Sequence, residues 1–167
     1  NCSNNFGPWQ FPEKLIPNII NKALRKQPIP IYGEGLNIRD WLYVEDHINA
    51  LLLMAIKGKV GEKYLVGGSV EKTNIEIAEK ICLILQNQDK EFKNCSSLIE
   101  FVKDRPGHDF RYSIDFSKIK EELGWEPNFS FEESLESTVK WYLSNQNWVE
   151  SLLTNSGYDG SRLGLIN

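Results

Sequence analysis

Gly33-Glu34-Gly35-Leu36-Asn37-Ile38-Arg39-Asp40-Trp41-Leu42-Tyr43-Val44-Glu45-Asp46-His47 passes from turn to strand to helix without a break. Glycines on both sides of Glu34 permit positive φ angles, so the run opens as a turn. Trp41-Leu42-Tyr43-Val44 favours a strand. Glu45 and Asp46 place acid where a helix begins, and Val44, Ile48, Leu51, Leu52 and Ala55 form one apolar stripe of a helix over about 44–57. Arg39 is thereby held between a glycine turn and a strand-to-helix junction. Its planar fork suits a phosphate; the competing reading is a structural pair with Asp40 or a glutamate.

Upstream, Asn1 to Trp9 reads as a polar, turn-rich loop whose asparagines could recognise a sugar or an amide. A helix is expected from Phe11, with Leu15, Ile16, Ile19, Ile20, Ala23 and Leu24 as its apolar stripe and a kink at Pro17. Pro28 to Tyr32 reads as an edge or isolated strand, since prolines remove ladder donors. Downstream, Lys63 to Gly68 reads as a strand, and Thr73 with Glu76 as a capping box that sets Asn74 beside orphan N–H groups. Gln86 to Ser97 is a polar excursion and Leu98 to Val102 a strand. Asp115 opens a short helix ended by Gly124. Ser130 and Glu133 cap a last long helix that buries Phe131, Leu135, Thr138, Val139 and Tyr142. Strands alternating with helices give an α/β class. No helix reads as having two apolar faces.

The chain has 167 residues, enough for one core, and its 41% apolar content with five Trp, six Tyr and eight Phe excludes disorder as the main state. A net charge of −4 argues against a nucleic-acid partner. No apolar run reaches the roughly 20 residues that span a bilayer, so no membrane partner is expected. Two histidines are too few for a convincing metal site, and three cysteines without ligand spacing suit a reducing, cytoplasmic setting. The first residue is Asn and the sole methionine is Met54, so the sequence reads as a piece of a longer chain.

Only five of the nineteen basic residues are arginines, and two of them, Arg39 and Arg105, sit in glycine-containing loops at element ends. Two converging arginines would suit a diphosphate, with His108 of Asp104-Arg105-Pro106-Gly107-His108 donating to the same anion or to a sugar. There is no Gly-x-Gly-x-x-Gly, no Gly-Lys-Ser/Thr phosphate loop, no His-Glu-x-x-His and no Tyr-x-x-x-Lys pair. The residues describe a nucleotide- or phosphate-binding lobe without a self-contained reaction centre.

Four motifs in order, Asn1 to Pro8, Phe11 to Pro17, Arg39 to Val44, and Asp104 to His108 with Arg111-Tyr112, resemble the dTDP-glucose 4,6-dehydratase family of extended short-chain dehydrogenase/reductases. The likeness covers about residues 1–148 and corresponds to the C-terminal, substrate-binding part of such a Rossmann-type enzyme. It implies one fragment over 1–167, with 1–27 continuing from an NAD-binding Rossmann half and 150–167 forming a tail. By resemblance, Asn4, Lys14 and Leu15 contact the sugar nucleotide, Asn5 lies near the nicotinamide of NAD, and Pro30, Ile31 and Tyr32 frame the thymine. Arg39 and Arg105 bind the diphosphate, Asn74 and the Asp104 to His108 loop complete the pocket, and Tyr158 is the last contact. The family's chemistry is oxidation at C4 by NAD, loss of water across C5–C6 and hydride return to C6. Its glycine fingerprint and acid/base residues belong upstream, so the resemblance implies an inactive fragment of a cytoplasmic homodimer built mostly by the cofactor domain. Another sugar-nucleotide epimerase or decarboxylase, or a non-catalytic binding module, is the alternative.

Overall fold

The computed structural model describes residues 1–157. β1 (Asn4–Phe6), β3 (Ile38–Tyr43), β4 (Glu71–Thr73) and β6 (Arg111–Tyr112) form one sheet, and β2 (Ile29–Tyr32) and β5 (Ile99–Val102) a second. The helices are α1 (Leu15–Leu24), α2 (Val44–Lys57), α3 (Asn74–Gln88), α4 (Ser117–Leu123), α5 (Phe131–Ser144) and α6 (Gln146–Ser156). β3 is the centre: it runs parallel to β1 with Asn4 opposite Trp41, antiparallel to β4 with Ile38 opposite Thr73, and parallel to β6. The pair β2–β5 is parallel, with Tyr32 opposite Val102. The α/β class follows.

Gly33 and Gly35 both take positive φ, as the turn requires. A Cβ on Gly35 would meet Ile31 Cγ2 at 2.7 Å and Ile75 Cβ at 2.9 Å, so the turn packs directly on the start of α3. Its carbonyls fill the helix end: Asn74 N–H donates to Asn37 O (3.1 Å) and Ile75 N–H to Gly35 O (3.0 Å). The Thr73–Glu76 capping box is complete. The N–H groups read as orphans are therefore spoken for, and Asn74 offers the cleft its side chain alone.

Several local expectations are corrected. α1 starts at Leu15, and Pro17 occupies its first turn, where its missing N–H breaks no bond, so no kink arises. Phe11 to Lys14 is a turn closed by Lys14 N–H to Phe11 O at 3.1 Å. The Lys63 to Gly68 strand reduces to one bridge, Cys2 to Val66. Residues read as a loop form β1, and α6 runs into the expected tail as far as Ser156. Cys82 and Cys95 are joined as a disulfide with Cα atoms 5.2 Å apart, which the reading of free thiols did not anticipate; Cys2 is free. The stripe on α2 is the largest reversal. Ile48, Leu51 and Leu52 face solvent, while Asp46 and Ala50 are buried, so this helix has two apolar faces.

The main core joins α1, α3 and α5 beneath β1 and β3 through Phe6, Ile16, Ile19, Ile20, Ile77, Leu135 and Tyr142. A second cluster, Leu42, Ala50, Tyr64, Val66, Ile119 and Trp125, lies under α2 and α4. Two buried carboxylates hold loops against this frame. Asp46 accepts from Asn128 N–H (2.9 Å) and Phe129 N–H (3.3 Å). Asp40 accepts from Gly68 N–H (3.1 Å) and Val70 N–H (3.3 Å). Burial pushes the Asp40 carboxyl above the ordinary range, and those backbone bonds pull it partly back.

Candidate functional site: a cationic cleft

A cleft of about 320 Å³ opens where β1, α1, β2, β3, α3 and the loop before β6 converge. Each element delivers one or two side chains. β1 contributes Asn4, and the turn into α1 contributes Glu13 and Lys14. Leu15 and Asn18 follow on the helix, Pro30 and Tyr32 come from β2, Arg39 and Trp41 from β3, and Asn74 from the start of α3. Arg105 and His108 close the rim.

The strand period of two explains why β3 gives Arg39 and Trp41 but not Asp40, whose side chain points to the opposite face. Arg39 is only 8% exposed. It donates through Nη1 to Ile38 O (2.6 Å) and through Nη2 to Asp109 O (2.8 Å). Asn37 Nδ2 donates to the same Asp109 carbonyl at 3.3 Å, and Ile38 N–H to Phe110 O at 2.8 Å. The guanidinium is thus braced by carbonyls and ion-paired to no carboxylate among the described residues. Burial lowers its pKa, and repulsion from Arg105 lowers it further against attraction from Asp109. Two guanidiniums thus line one cleft, Arg105 acting on Arg39 by repulsion.

The rim is ordered from within. Asp104 Oδ1 accepts from Arg105 N–H (2.7 Å) and lies 2.7 Å from His108 Nδ1. The His108 bond holds Asp104 below the ordinary carboxylate range. Tyr32 meets the His108 ring edge to face at 6.4 Å. Gln10, on the way to α1, donates to Asn5 O (2.8 Å), and its own carbonyl accepts from Tyr142 Oη (2.6 Å). α5 thereby fixes the segment that carries Glu13 and Lys14.

Of the residues expected at a site, Asn4, Lys14, Leu15, Pro30, Tyr32, Arg39, Asn74, Arg105 and His108 share the cleft. Asp104 supports it from behind. Ile31 is 1% exposed in the core, so its side chain frames nothing. Pro106 and Gly107 form the turn beyond the lining, with Gly107 at φ +66°. Tyr158 lies outside the described residues. Asn5 sits off the cleft: its Oδ1 is 2.7 Å from His47 Nδ1, and its Nδ2 donates to Ser3 O (3.0 Å). Glu13, Asn18 and Trp41 line the cleft without having been singled out. Asn18 carried a signal, being polar within an apolar helical run; Trp41 carried none beyond the alternation with Arg39.

The family model described as GDP-mannose 4,6 dehydratase matches residues 1–138. The chain is 53% identical over 166 residues to the dTDP-glucose 4,6-dehydratase of Xanthomonas campestris pv. campestris, covering 98% of this chain and 47% of that protein. A dTDP-glucose 4,6-dehydratase of Escherichia coli is 51% identical over 170 residues, again with 47% of its length matched. The chain thus spans about half the length of these relatives. Among solved structures, the Streptomyces venezuelae dTDP-glucose 4,6-dehydratase with NAD bound superposes with a TM-score of 0.83 at 42% identity, over 90% of this chain and 45% of that one. A Thermotoga maritima UDP-glucose 4-epimerase, solved with UDP-glucose, superposes with a TM-score of 0.77 at 28% identity, over 87% and 45%. The chain belongs to the GDP-mannose 4,6 dehydratase family, and within it is similar to the dTDP-glucose 4,6-dehydratases.

Proposed function

We propose that this chain is the nucleotide-sugar-binding half of a dTDP-glucose 4,6-dehydratase, in which Arg39 and Arg105 hold the diphosphate. The observation that carries the reading is the pair of guanidiniums lining one cleft, neither ion-paired to a carboxylate among the described residues. Around them, Asn4, Asn18 and Asn74 offer carboxamides whose donors and acceptors no other described side chain occupies, which suits sugar hydroxyls. Tyr32 and Pro30 give a flat, apolar wall suited to a base.

Among the described residues the cleft holds no nucleophile activated by a base, so its contribution is positioning, which lowers a barrier before any bond changes. NAD, when bound in the whole enzyme, supplies the hydride acceptor and donor. Asn5 is the residue assigned toward it here, and His47 donating to Asn5 Oδ1 would fix which way that carboxamide points. The rest of the cofactor site, and the acid and base, belong to the half of the relatives that this chain does not match.

Calorimetric titration of the chain with dTDP, dTMP and UDP tests the reading. dTDP should bind at least tenfold more tightly than dTMP, because the second phosphate engages the second arginine. Equal affinity for dTDP and dTMP would remove the diphosphate assignment, and tighter binding of UDP would favour an epimerase-like substrate. The chain with NAD and dTDP-glucose should form no 4-keto-6-deoxy product above a buffer control.

A further inference from the structure

Trp9 stands at φ +65°, one of three residues other than glycine with positive φ among the described residues. A side chain in the left-handed region is unfavourable by itself, and such a conformation persists only where its surroundings impose it. No hydrogen bond imposes it here, since Trp9 makes none among the described residues. The packing of its ring does. Although 63% exposed, Trp9 rests against Trp141 of α5, with ring centroids 4.8 Å apart, and against Trp148 of α6 at 5.2 Å. Trp141 and Trp148 meet edge to face at 5.3 Å, so the three rings close a triangle. None of that triangle lines the cleft.

We propose that Trp9 is a positioning residue for the cleft: its clasp on Trp141 and Trp148 holds the turn that carries Lys14 to the ligand. The inference rests on the proposed function for what the cleft binds. The residue after the clasp, Gln10, has its carbonyl held by Tyr142 Oη at 2.6 Å, so α5 grips two consecutive residues. Gln10 Nε2 donates to Asn5 O at 2.8 Å, which ties the same point to β1 beside Asn4. Beyond it, no residue from Phe11 to Lys14 lies in a helix or strand, and the turn closes by Lys14 N–H to Phe11 O at 3.1 Å. The only ion pair of Lys14 among the described residues is with its neighbour Glu13, at 3.5 Å. No distant side chain aims that ammonium. Its place in the cleft is therefore inherited from the turn, and the turn's place from the clasp.

Calorimetric titration with dTDP-glucose and amide hydrogen exchange test this on the 167-residue chain. Trp9→Gly removes the ring but accepts φ +65°, so melting should stay within about 3 °C of the parent. The Lys14 amide should nevertheless exchange about tenfold faster, as the turn opens more often. dTDP-glucose should bind about fivefold more weakly to Trp9→Gly, and to Trp9→Phe, which keeps a ring on Trp141, within about twofold of the parent. Lys14→Ala gives the readout that packing alone would not move. It should weaken binding by itself, and adding Trp9→Gly to it should cost nothing more, because both changes remove one contact. Additive losses overturn the proposal, as does a Trp9→Gly or Lys14→Ala variant that binds like the parent. Unchanged exchange at Lys14 overturns it too. So does a dimer of the chain in sedimentation that Trp9→Gly splits, an outcome that assigns the exposed rings to a second copy. Failure of the diphosphate reading shows in the parent alone, as equal affinity for dTDP and dTMP, and leaves the comparison of variants standing.

Discussion

Replacing Arg39 and Arg105 by lysine should separate two roles that the same residue type plays in one cleft. Arg39 makes two bonds to carbonyls, at 2.6 Å to Ile38 O and 2.8 Å to Asp109 O. Hydrogen bonds from a charged group are worth roughly 1.5–3 kcal/mol each. A lysine keeps the charge and at most one of the two carbonyls, so Arg39→Lys should cost about 1.5–3 kcal/mol of stability. For a domain of this size that is a fall in melting temperature of roughly 3–12 °C. The Arg105 side chain makes no hydrogen bond or ion pair among the described residues; only its backbone N–H is used, by Asp104. Arg105→Lys should leave melting within about 1 °C. Both variants should weaken dTDP binding by about tenfold or more, the loss of one well-aligned fork contact. Differential scanning fluorimetry and calorimetric titration on the same samples read the two effects. The reasoning fails if Arg105→Lys destabilises as much as Arg39→Lys, or if Arg39→Lys melts like the parent. It fails equally if both variants bind dTDP within twofold of the parent.

Gly68→Ala should abolish folding, because the added Cβ would sit 1.7 Å from Trp41 O and 2.9 Å from Leu42 Cα, both backbone; soluble yield and circular dichroism check it. Opening the Cys82–Cys95 link, which spans 13 residues, should cost about 3 kcal/mol by loop entropy, read as a melting difference with and without reductant that Cys82→Ser removes. Tyr142→Phe strands the carbonyl of Gln10 and should cost about 1–2 kcal/mol in thermal or denaturant unfolding. Asp104 sits below its ordinary value of 3.8, so its contribution is complete above about pH 5 and is lost as pH falls through the lower folded value. Asp40 has the opposite sign: its pKa is raised, so the folded state holds the proton more tightly and stability falls as pH rises through that raised value. Urea unfolding of the parent, Asp104→Asn and Asp40→Asn between pH 3 and 7 should show the first variant losing the acid-side slope and the second losing the fall.

Much of this fold was legible because the signals were local. The glycine turn, the Thr73 capping box and the helix ended by Gly124 depend on residues within one turn of each other, and each forms as read. β1 was invisible because Asn4-Asn5-Phe6 has poor strand propensity and takes its hydrogen bonds from β3, 37 residues downstream. The Pro17 expectation failed because the helix starts four residues later than read, at Leu15 and not Phe11, which separates a broken helix from a permitted first turn. α2 shows the deeper limit. Its stripe satisfied the periodicity of a core-facing helix, but periodicity names an apolar face and not the layer that covers it. Here the inward face is marked instead by a buried carboxylate, Asp46, which no hydrophobic pattern would select.

Arg39 and Asp40 are adjacent, oppositely charged and both buried, so a sequence reader's economical choice is to pair them. The strand forbids it. Neighbouring side chains on β3 leave by opposite faces, and each must find compensation separately. Asp40 finds it in the backbone N–H groups of Gly68 and Val70, which can approach because Gly68 has no Cβ. Arg39 finds the carbonyls of Ile38 and Asp109 and some attraction from the Asp109 carboxylate, but no ion pair among the described residues, with Arg105 adding repulsion. A buried cation braced chiefly by dipoles is expensive unless a closer counter-charge arrives. The frame around β3 spends its carboxylates elsewhere, Asp40 on one loop, Asp46 on another and Asp104 on His108. On the proposed reading, that allocation leaves the two arginines of the cleft to a diphosphate, whose charge suits them.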